Sequence, residues 1–258
     1  MKRILVTGSN GQLGLTFQEI HKEYPKLEFV FKNSSELNIT DIKKVEEIFK
    51  DGNFDYCINC AAYTNVEQAE KTPEIAYLVN GDGTRNIALL CKEHNVILVH
   101  ISTDYVFDGE KGEAYTIEDI TNPINEYGKS KLKGEEYIQN ILKDFYIIRT
   151  SWLYSKKTGN NFYQTILSKA RKGEVLKITD AQVGCPTEII NLVKHIVYII
   201  VTNKQNFGLQ HFTDKIEMTW YDFAKNILIE NNLLNEVSLN KVNNYRTFVR
   251  RPKNSILN

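Results

Sequence analysis

The sequence of 258 residues predicts an α/β fold, a doubly wound parallel sheet with a smaller C-terminal lobe. Two observations carry that prediction. Through the first 150 residues, short and nearly continuous apolar runs alternate with longer amphipathic stretches. The first run also leads directly into a glycine-rich turn that opens one of those stretches. Strands apolar on both faces, alternating with helices, are the pattern of a parallel sheet covered on both sides.

The expected strands are Arg3–Thr7, Glu28–Phe31, Tyr56–Cys60, Ile97–Ser102 and Tyr146–Arg149. The expected helices between and after them are Leu13–His21, Ile42–Lys50, Ala76–Glu93 and Lys129–Leu142. Beyond Arg149 the pattern loosens. A loop is expected over Lys156–Asn161, a helix over Phe162–Arg171, and a turn at Gly184–Thr187 with Thr187 capping a further helix. Gly208–Phe212 reads as one more strand, and the tail from Lys215 as helical to Asn231. The expected division is a dinucleotide-binding domain of residues 1–150 plus about 182–213, and a lobe of about 151–181 plus 214–258.

Composition narrows the function. Hydrophobic residues make up 42% and charged residues 25%, the balance of a soluble globular enzyme. Lys plus Arg equals Asp plus Glu at 32 each, so no broad attraction to nucleic acid or an anionic membrane is expected. The N-terminal apolar run Ile4–Val6 is broken by Thr7 and Gly8, too soon for a signal-peptide core. The run Ile196–Val201 is far below membrane-spanning length. A cytoplasmic location is the expectation. Cys57 and Cys60 form a CxxC, but no second pair completes a zinc site. The pair lies in an apolar strand, where residues three apart face opposite sides. Buried, reduced thiols are expected.

The turn after the first strand is Thr7-Gly8-Ser9-Asn10-Gly11-Gln12-Leu13-Gly14. Gly8 can take backbone angles closed to other residues. Gly11 has no side chain to keep a pyrophosphate from the backbone, and Gly14 lets helix and strand pack closely. The helix N-terminus then offers free N–H groups and partial positive charge to phosphates. These features make the fold Rossmann-type. Such folds place an acidic residue near the end of the second strand for the adenosine ribose. Here that strand ends Val30-Phe31-Lys32-Asn33-Ser34, and Lys32 is positioned instead for a 2′-phosphate. NADPH is therefore expected over NADH.

Asn125-Glu126-Tyr127-Gly128-Lys129-Ser130-Lys131 contains a YxxxK. Spacing alone decides nothing, because Tyr221 and Lys225 share it. Context separates the two: Asn122-Pro123-Ile124-Asn125 is a turn ending in a helix cap. Tyr127 and Lys131 then share a helix face at the carboxyl ends of the strands, where ligands bind in such sheets. An ammonium beside a phenol lowers its pKa from about 10 and suits it to general acid–base work. Thr103, at the end of the fourth strand, is a second hydroxyl for a substrate carbonyl. Tyr221–Lys225 reads as lobe packing.

Together these residues resemble the extended short-chain dehydrogenase/reductase family and, within it, the dTDP-4-dehydrorhamnose reductases. The resemblance runs in order through Thr7–Gly14, Asn59–Thr64 with Val66–Glu70, Ser102–Gly109, Asn122–Glu135, Arg149–Tyr154, Gly159–Phe162, Gln182–Thr187 and Arg251–Ser255. It implies that Tyr127 protonates a C4 keto oxygen, that Lys131 tunes it and holds the nicotinamide ribose, and that Thr103 orients the keto group. It also implies that Gly11, Gln12 and Leu13 carry the pyrophosphate, with Ala61, Ala62 and Tyr63 flanking the cofactor. Asp104 and Trp152 are implied substrate contacts, and a dTDP-linked sugar the implied substrate. Where the family usually has an aspartate near the adenine, this chain has Asn38 before Ile39, and the asparagine carbonyl is left as acceptor. Ala181 stands in place of an acidic residue before Gln182. Magnesium and a homodimer are implied by resemblance alone. Two other readings stay open: a reductase, epimerase or dehydratase for another nucleotide-linked keto sugar, and a regulatory subunit that binds cofactor without turnover. A dehydratase needs a second carboxylate after Asp104, where Tyr105 stands.

Overall fold

The computed structural model describes residues 1–157, 159–243 and 248–258. Thr158, within the expected loop 156–161, and residues 244–247, within the tail, lie outside that description. The chain opens with β1 (Lys2–Thr7), α1 (Gln12–Ile20), β2 (Leu27–Lys32), α2 (Ile42–Gly52) and β3 (Tyr56–Asn59). Helices α3 (Val66–Lys71) and α4 (Pro73–Ala76) follow, then a π-helical stretch Tyr77–Gly83 that runs into α5 (Thr84–Glu93). Next come β4 (Ile97–Thr103), α6 (Glu126–Ile141) and β5 (Phe145–Thr150). The second half holds β6 (Leu153–Tyr154), α7 (Phe162–Arg171), β7 (Leu176–Ile178), β8 (Val183–Gly184), β9 (Thr187–Glu188) and α8 (Ile189–Thr202). It closes with β10 (Gly208–His211), β11 (Met218–Thr219), α9 (Trp220–Glu230) and β12 (Leu239–Lys241).

Six strands form one sheet in the order β10-β5-β4-β3-β1-β2, every pairing parallel. The chain leaves β1 for β2 on one side and returns to β3 on the other. That reversal opens a crevice at the carboxyl ends of β1 and β3, where such folds bind ligands. All residues of β3 and β5 are buried, as strands covered on both faces must be. One apolar layer packs α1 and α8 against the sheet through Phe17, Ile20, Leu192, Val193 and Ile196. The other packs α2, α5 and α6 through Val45, Phe49, Ile87, Leu90 and Ile138. Cys57 lies in the second layer and Cys60 against the first, and all four cysteines are free. A separate core joins α7 and α9 through Tyr163, Ile166, Phe223 and Ile227.

Three expectations need correction. The helix expected from Ala76 begins at Pro73 and is interrupted by the π-helical turn at Tyr77–Gly83. Thr187 does not cap α8: its hydroxyl donates to the Cys185 carbonyl, and the first amide of that helix end, Glu188 N, is satisfied by Asp214 Oδ2 at 2.8 Å. The tail helix starts at Trp220, because Met218 and Thr219 pair antiparallel with Val183 and Gly184. Thr219 then caps it, accepting from Asp222 N at 3.0 Å. Among the described residues, no helix is long and apolar enough to cross a membrane.

Candidate active site

The glycine turn is folded as its residues require. Gly8 has φ +61°, and a Cβ there would lie 2.7 Å from Ala61 Cα. The backbone turns through Gly11 N–H donating to Gly8 O at 2.9 Å and Ser9 N–H to Lys32 O at 3.1 Å. Gly14 carries α1 against the turn so closely that a Cβ would come within 2.4 Å of Ser9 Cα. Gly11 is the N-cap of α1 and no side chain caps that end, so its orphan N–H groups face the crevice. This cradle fits the diphosphate of a dinucleotide. Leu13 contributes only backbone to it, since its side chain is in the core. Gln12 reaches the opposite lobe, accepting from Asn161 Nδ2 at 2.9 Å.

Lys32 ends β2 beside this turn, half-buried, and forms no ion pair among the described residues. Asn38 is exposed, and its side-chain carbonyl is engaged by the Thr40 amide and hydroxyl at 3.1 and 2.9 Å. The carbonyl expected to face an adenine thus also closes a turn. Ile39 is buried under α5, against Gly83. Ala61, Ala62 and Tyr63 line the exit from β3, with Ala61 N–H on the Thr7 hydroxyl at 3.3 Å.

Asn125 caps α6, accepting from Gly128 N at 2.8 Å, which sets Tyr127 in the first turn. The ring of Tyr105 meets it edge to face, with centroids 5.8 Å apart. Thr103, at the end of β4, lies beside the Tyr127 phenol and donates to Asp104 Oδ1 at 3.0 Å. Burial pushes Tyr127 up to about 12, with Thr103 opposing and Asp104 adding to the rise. Lys131 is placed differently from the expectation. Its ammonium position lies against β4, 2.6 Å from the Ile101 carbonyl and 3.2 Å from His100 Nε2. Burial draws it down to about 8, below the ordinary lysine range, though it remains mostly an ammonium at neutral pH.

Sequence reasoning missed two groups beneath the pair. Asn80, in the π-helical turn, accepts from Tyr63 N at 2.8 Å and donates to Tyr63 O and Ser130 Oγ, both at 3.0 Å. It ties the β3 exit to α6. Glu135 pairs with Arg149 at 2.6 Å, both essentially inaccessible, and accepts from Ser102 Oγ. No pattern signals Asn80, since a wide turn inside an amphipathic helix leaves the periodicity nearly intact.

On the lobe side, Trp152 has φ +47° and stacks on Trp220, centroids 3.6 Å apart. Trp220 also donates to Gln182 Oε1 at 3.0 Å. A cavity of 240 Å³ lies beside this pair, lined by Phe162, Lys177, Thr179, Gln182 and Arg251 among others. Arg251 also pairs with Glu67 at 2.9 Å and its charge acts on the Tyr105 phenol, whose ring meets Tyr127. Asp104 is buried between the two, and burial pushes it up to about 7, with Ser255 and the Thr103 hydroxyl opposing the rise. Tyr221 and Lys225 lie away from this crevice on α9, where Tyr221 is covered by Lys241. Among the described residues, no cluster of three or more His, Cys, Asp or Glu is arranged to hold a metal, so the expected magnesium finds no ligand set there.

A parallel sheet with a phosphate cradle at its switch point, and a Thr–Tyr–Lys set beside it, defines a nicotinamide-dependent oxidoreductase of the extended short-chain class. The chain belongs to the family described as RmlD substrate binding domain, whose model matches residues 1–258. It is 37% identical to a dTDP-4-dehydrorhamnose reductase of Aggregatibacter actinomycetemcomitans, over 100% of this chain and 90% of that one. It is 36% identical to a dTDP-4-keto-6-deoxy-D-glucose reductase of Streptomyces niveus, over 86% of this chain and 76% of the relative. In structure it is similar to the dTDP-4-dehydrorhamnose reductase of Bacillus anthracis in complex with NADP, with a TM-score of 0.94 and 36% identity, covering 100% and 91% of the two chains.

Proposed function

We propose that this chain reduces the 4-keto group of dTDP-4-dehydro-β-L-rhamnose, giving dTDP-β-L-rhamnose. The observation that carries the chemistry is Thr103 at the end of β4 beside Tyr127 in the first turn of α6, with Lys131 one helical turn along. A nicotinamide dinucleotide, held at the Gly8, Gly11 and Gly14 cradle, would supply a hydride for C4. Thr103 and Tyr127 hold the keto oxygen, and Tyr127 gives it the proton that the new alkoxide needs. A phenol held near 12 stays protonated at neutral pH, the form required of an acid. Gly8, Gly11 and Gly14 form the diphosphate cradle, and Trp152 and Asp104 border the sugar. Lys32 favours NADPH by its position beside the cradle. Support for the sugar comes from the named activities of the relatives with 36–37% identity.

The second reading is reduction of dTDP-4-keto-6-deoxy-D-glucose, favoured by the Streptomyces relative. Dinucleotide oxidation with each keto sugar, with the product's C4 stereochemistry determined, decides between them. Tyr127→Phe is expected to lose at least ~100-fold in kcat while still binding cofactor. Lys32→Ala is expected to lower kcat/KM for NADPH and leave that for NADH, and a wild type that prefers NADH overturns the assignment of Lys32.

A further inference from the structure

His100 takes no part in the chemistry above, yet it is fully buried on β4 with its ring against Lys131. Its Nδ1 lies 3.2 Å from Asn59 Nδ2 and its Nε2 3.2 Å from Lys131 Nζ. The direction of these bonds is set at the far end of the chain. Thr7 is fully buried, its hydroxyl oxygen accepts the Ala61 N–H, and its one proton has the Asn59 carbonyl at 2.7 Å. Turning the Asn59 amide over would set two N–H donors on the Thr7 oxygen and strand its proton. Asn59 therefore presents its carbonyl to Thr7 and its NH2 to His100, so His100 Nδ1 accepts. Burial first, then the nearby Lys131, hold His100 well below its ordinary range. The ring is neutral, and its single proton sits on Nε2, aimed at Lys131.

An ammonium has three N–H groups and no lone pair, so it opposes this donor. A neutral amine accepts it, and still has one hydrogen for the Ile101 carbonyl at 2.6 Å and one for the Tyr127 side of the helix. We propose that His100 is a positioning residue that works through Lys131: held as the Nε2–H tautomer by Asn59, it donates to the lysine amine and makes the ammonium a better proton donor than an ordinary lysine. The inference rests on the reading of Tyr127 and Lys131 as the proton-delivering pair. In one turnover, Tyr127 gives its hydroxyl proton to the substrate oxygen and becomes a phenolate. The Lys131 ammonium, one helical turn along α6, is the source of the proton that restores the phenol, and it becomes the amine that His100 caps. Water restores the ammonium, so the proton gained by the product comes from solvent.

Other groups face Lys131 as well. Cys60, at the exit of β3, is pushed up by burial and stays a thiol. Glu135, one turn further along α6, favours the ammonium, but its carboxylate is committed to Arg149 on β5 and to Ser102 on β4. Tyr127, on the same helix, is a neutral phenol. Burial outweighs these charges in drawing Lys131 down.

The test has two independent arms. In the first, 15N-labelled histidine is followed by NMR in the wild-type protein from about pH 6 to 9. His100 is expected as a neutral Nε2–H tautomer throughout, and an Nδ1–H tautomer or an imidazolium overturns the proposal. In the second, kcat is measured against pH. Reduction draws on the ammonium, so activity falls as pH rises through the lysine's pKa. His100→Leu removes the donor and is expected to move that alkaline limb up by about one pH unit, the equivalent of one hydrogen bond, with cofactor KM little changed. His100→Gln, whose amide NH2 can take the Nε2 position, is expected to restore the wild-type limb. A folded Leu variant with an unmoved limb overturns the proposal, and if that variant does not fold, the NMR arm decides alone. Full activity in Tyr127→Phe and Lys131→Met would instead overturn the catalytic reading, a result the tautomer measurement does not share.

Discussion

Glu135→Gln removes the charge that compensates Arg149 while keeping the side chain's shape. The two side chains retain 4% and 1% of their accessible surface, and the guanidinium binds the carboxylate through Nη2 at 2.6 Å and Nε at 3.0 Å. Its plane also lies over Phe107, 5.1 Å from the ring centroid. Water cannot reach the cation to replace the lost charge. Removing one partner of such a pair costs about 3–5 kcal/mol, a large part of the ~5–15 kcal/mol that holds a typical domain together. The assay is urea unfolding at neutral pH, with the midpoint expected to fall by roughly 1 M or more for a slope near 3 kcal/mol/M. Glu135→Leu combined with Arg149→Met replaces both charges by apolar groups and is expected to recover most of the loss. A cost below ~1 kcal/mol for Glu135→Gln, or additive losses in the double variant, would refute the uncompensated-charge argument. Because Glu135 also favours the Lys131 ammonium, the folded fraction of Glu135→Gln is expected to lose activity at a lower pH than wild type.

Gly14→Ala places a Cβ 2.4 Å from Ser9 Cα, so α1 must move off the turn. A loss of about 1–3 kcal/mol is expected, read by thermal unfolding, together with weaker dinucleotide binding by calorimetry; unchanged binding would detach the turn from the cofactor. Asp104 predicts a pH dependence of stability. Its folded pKa, raised by burial to about 7, exceeds the unfolded value near 4. Its contribution is fully present below about pH 4 and is lost as pH rises through about 7. Asp104→Asn is expected to flatten that part of the wild-type profile of unfolding free energy against pH, and parallel profiles would remove Asp104 as its source.

The strands were legible because burial on both faces leaves an apolar run with few alternatives, and all five expected in the first half occur within two residues of their predicted ends. The glycine turn and the Asn125 cap were legible because each rests on a local requirement: a positive φ, a close approach, an orphan N–H. What the sequence hid depends on distant partners. Asp214 replaces Thr187 at the start of α8 from 26 residues away. Trp220 meets Trp152 only because α9 packs on the lobe core. Asn80 sits in a π-helical turn that no periodicity marks. The i to i+4 spacing correctly put Tyr127 and Lys131 on one helix, but side-chain direction came from β4, whose Ile101 carbonyl and His100 ring capture the lysine.

That capture bears on the direction in which the enzyme works. The spacing alone suggests a standing ammonium that stabilises a phenolate. In the structure, burial raises the phenol to about 12 and lowers the lysine to about 8, so each group is biased towards its neutral form. For reduction this is favourable at the start, because the acid arrives protonated, and the phenolate it leaves behind is quickly reprotonated by an ammonium of lower pKa. For the reverse oxidation the same bias is a handicap. The sugar hydroxyl must give its proton to a phenolate, and each unit by which the phenol's pKa exceeds the working pH costs about 1.4 kcal/mol. Oxidation of the product sugar with oxidised dinucleotide is therefore expected to rise about tenfold per pH unit from pH 7 to 9, while reduction falls through the same range. Parallel profiles in the two directions would show that the phenol's protonation state does not govern either reaction, and would return Lys131 to the role of a fixed charge.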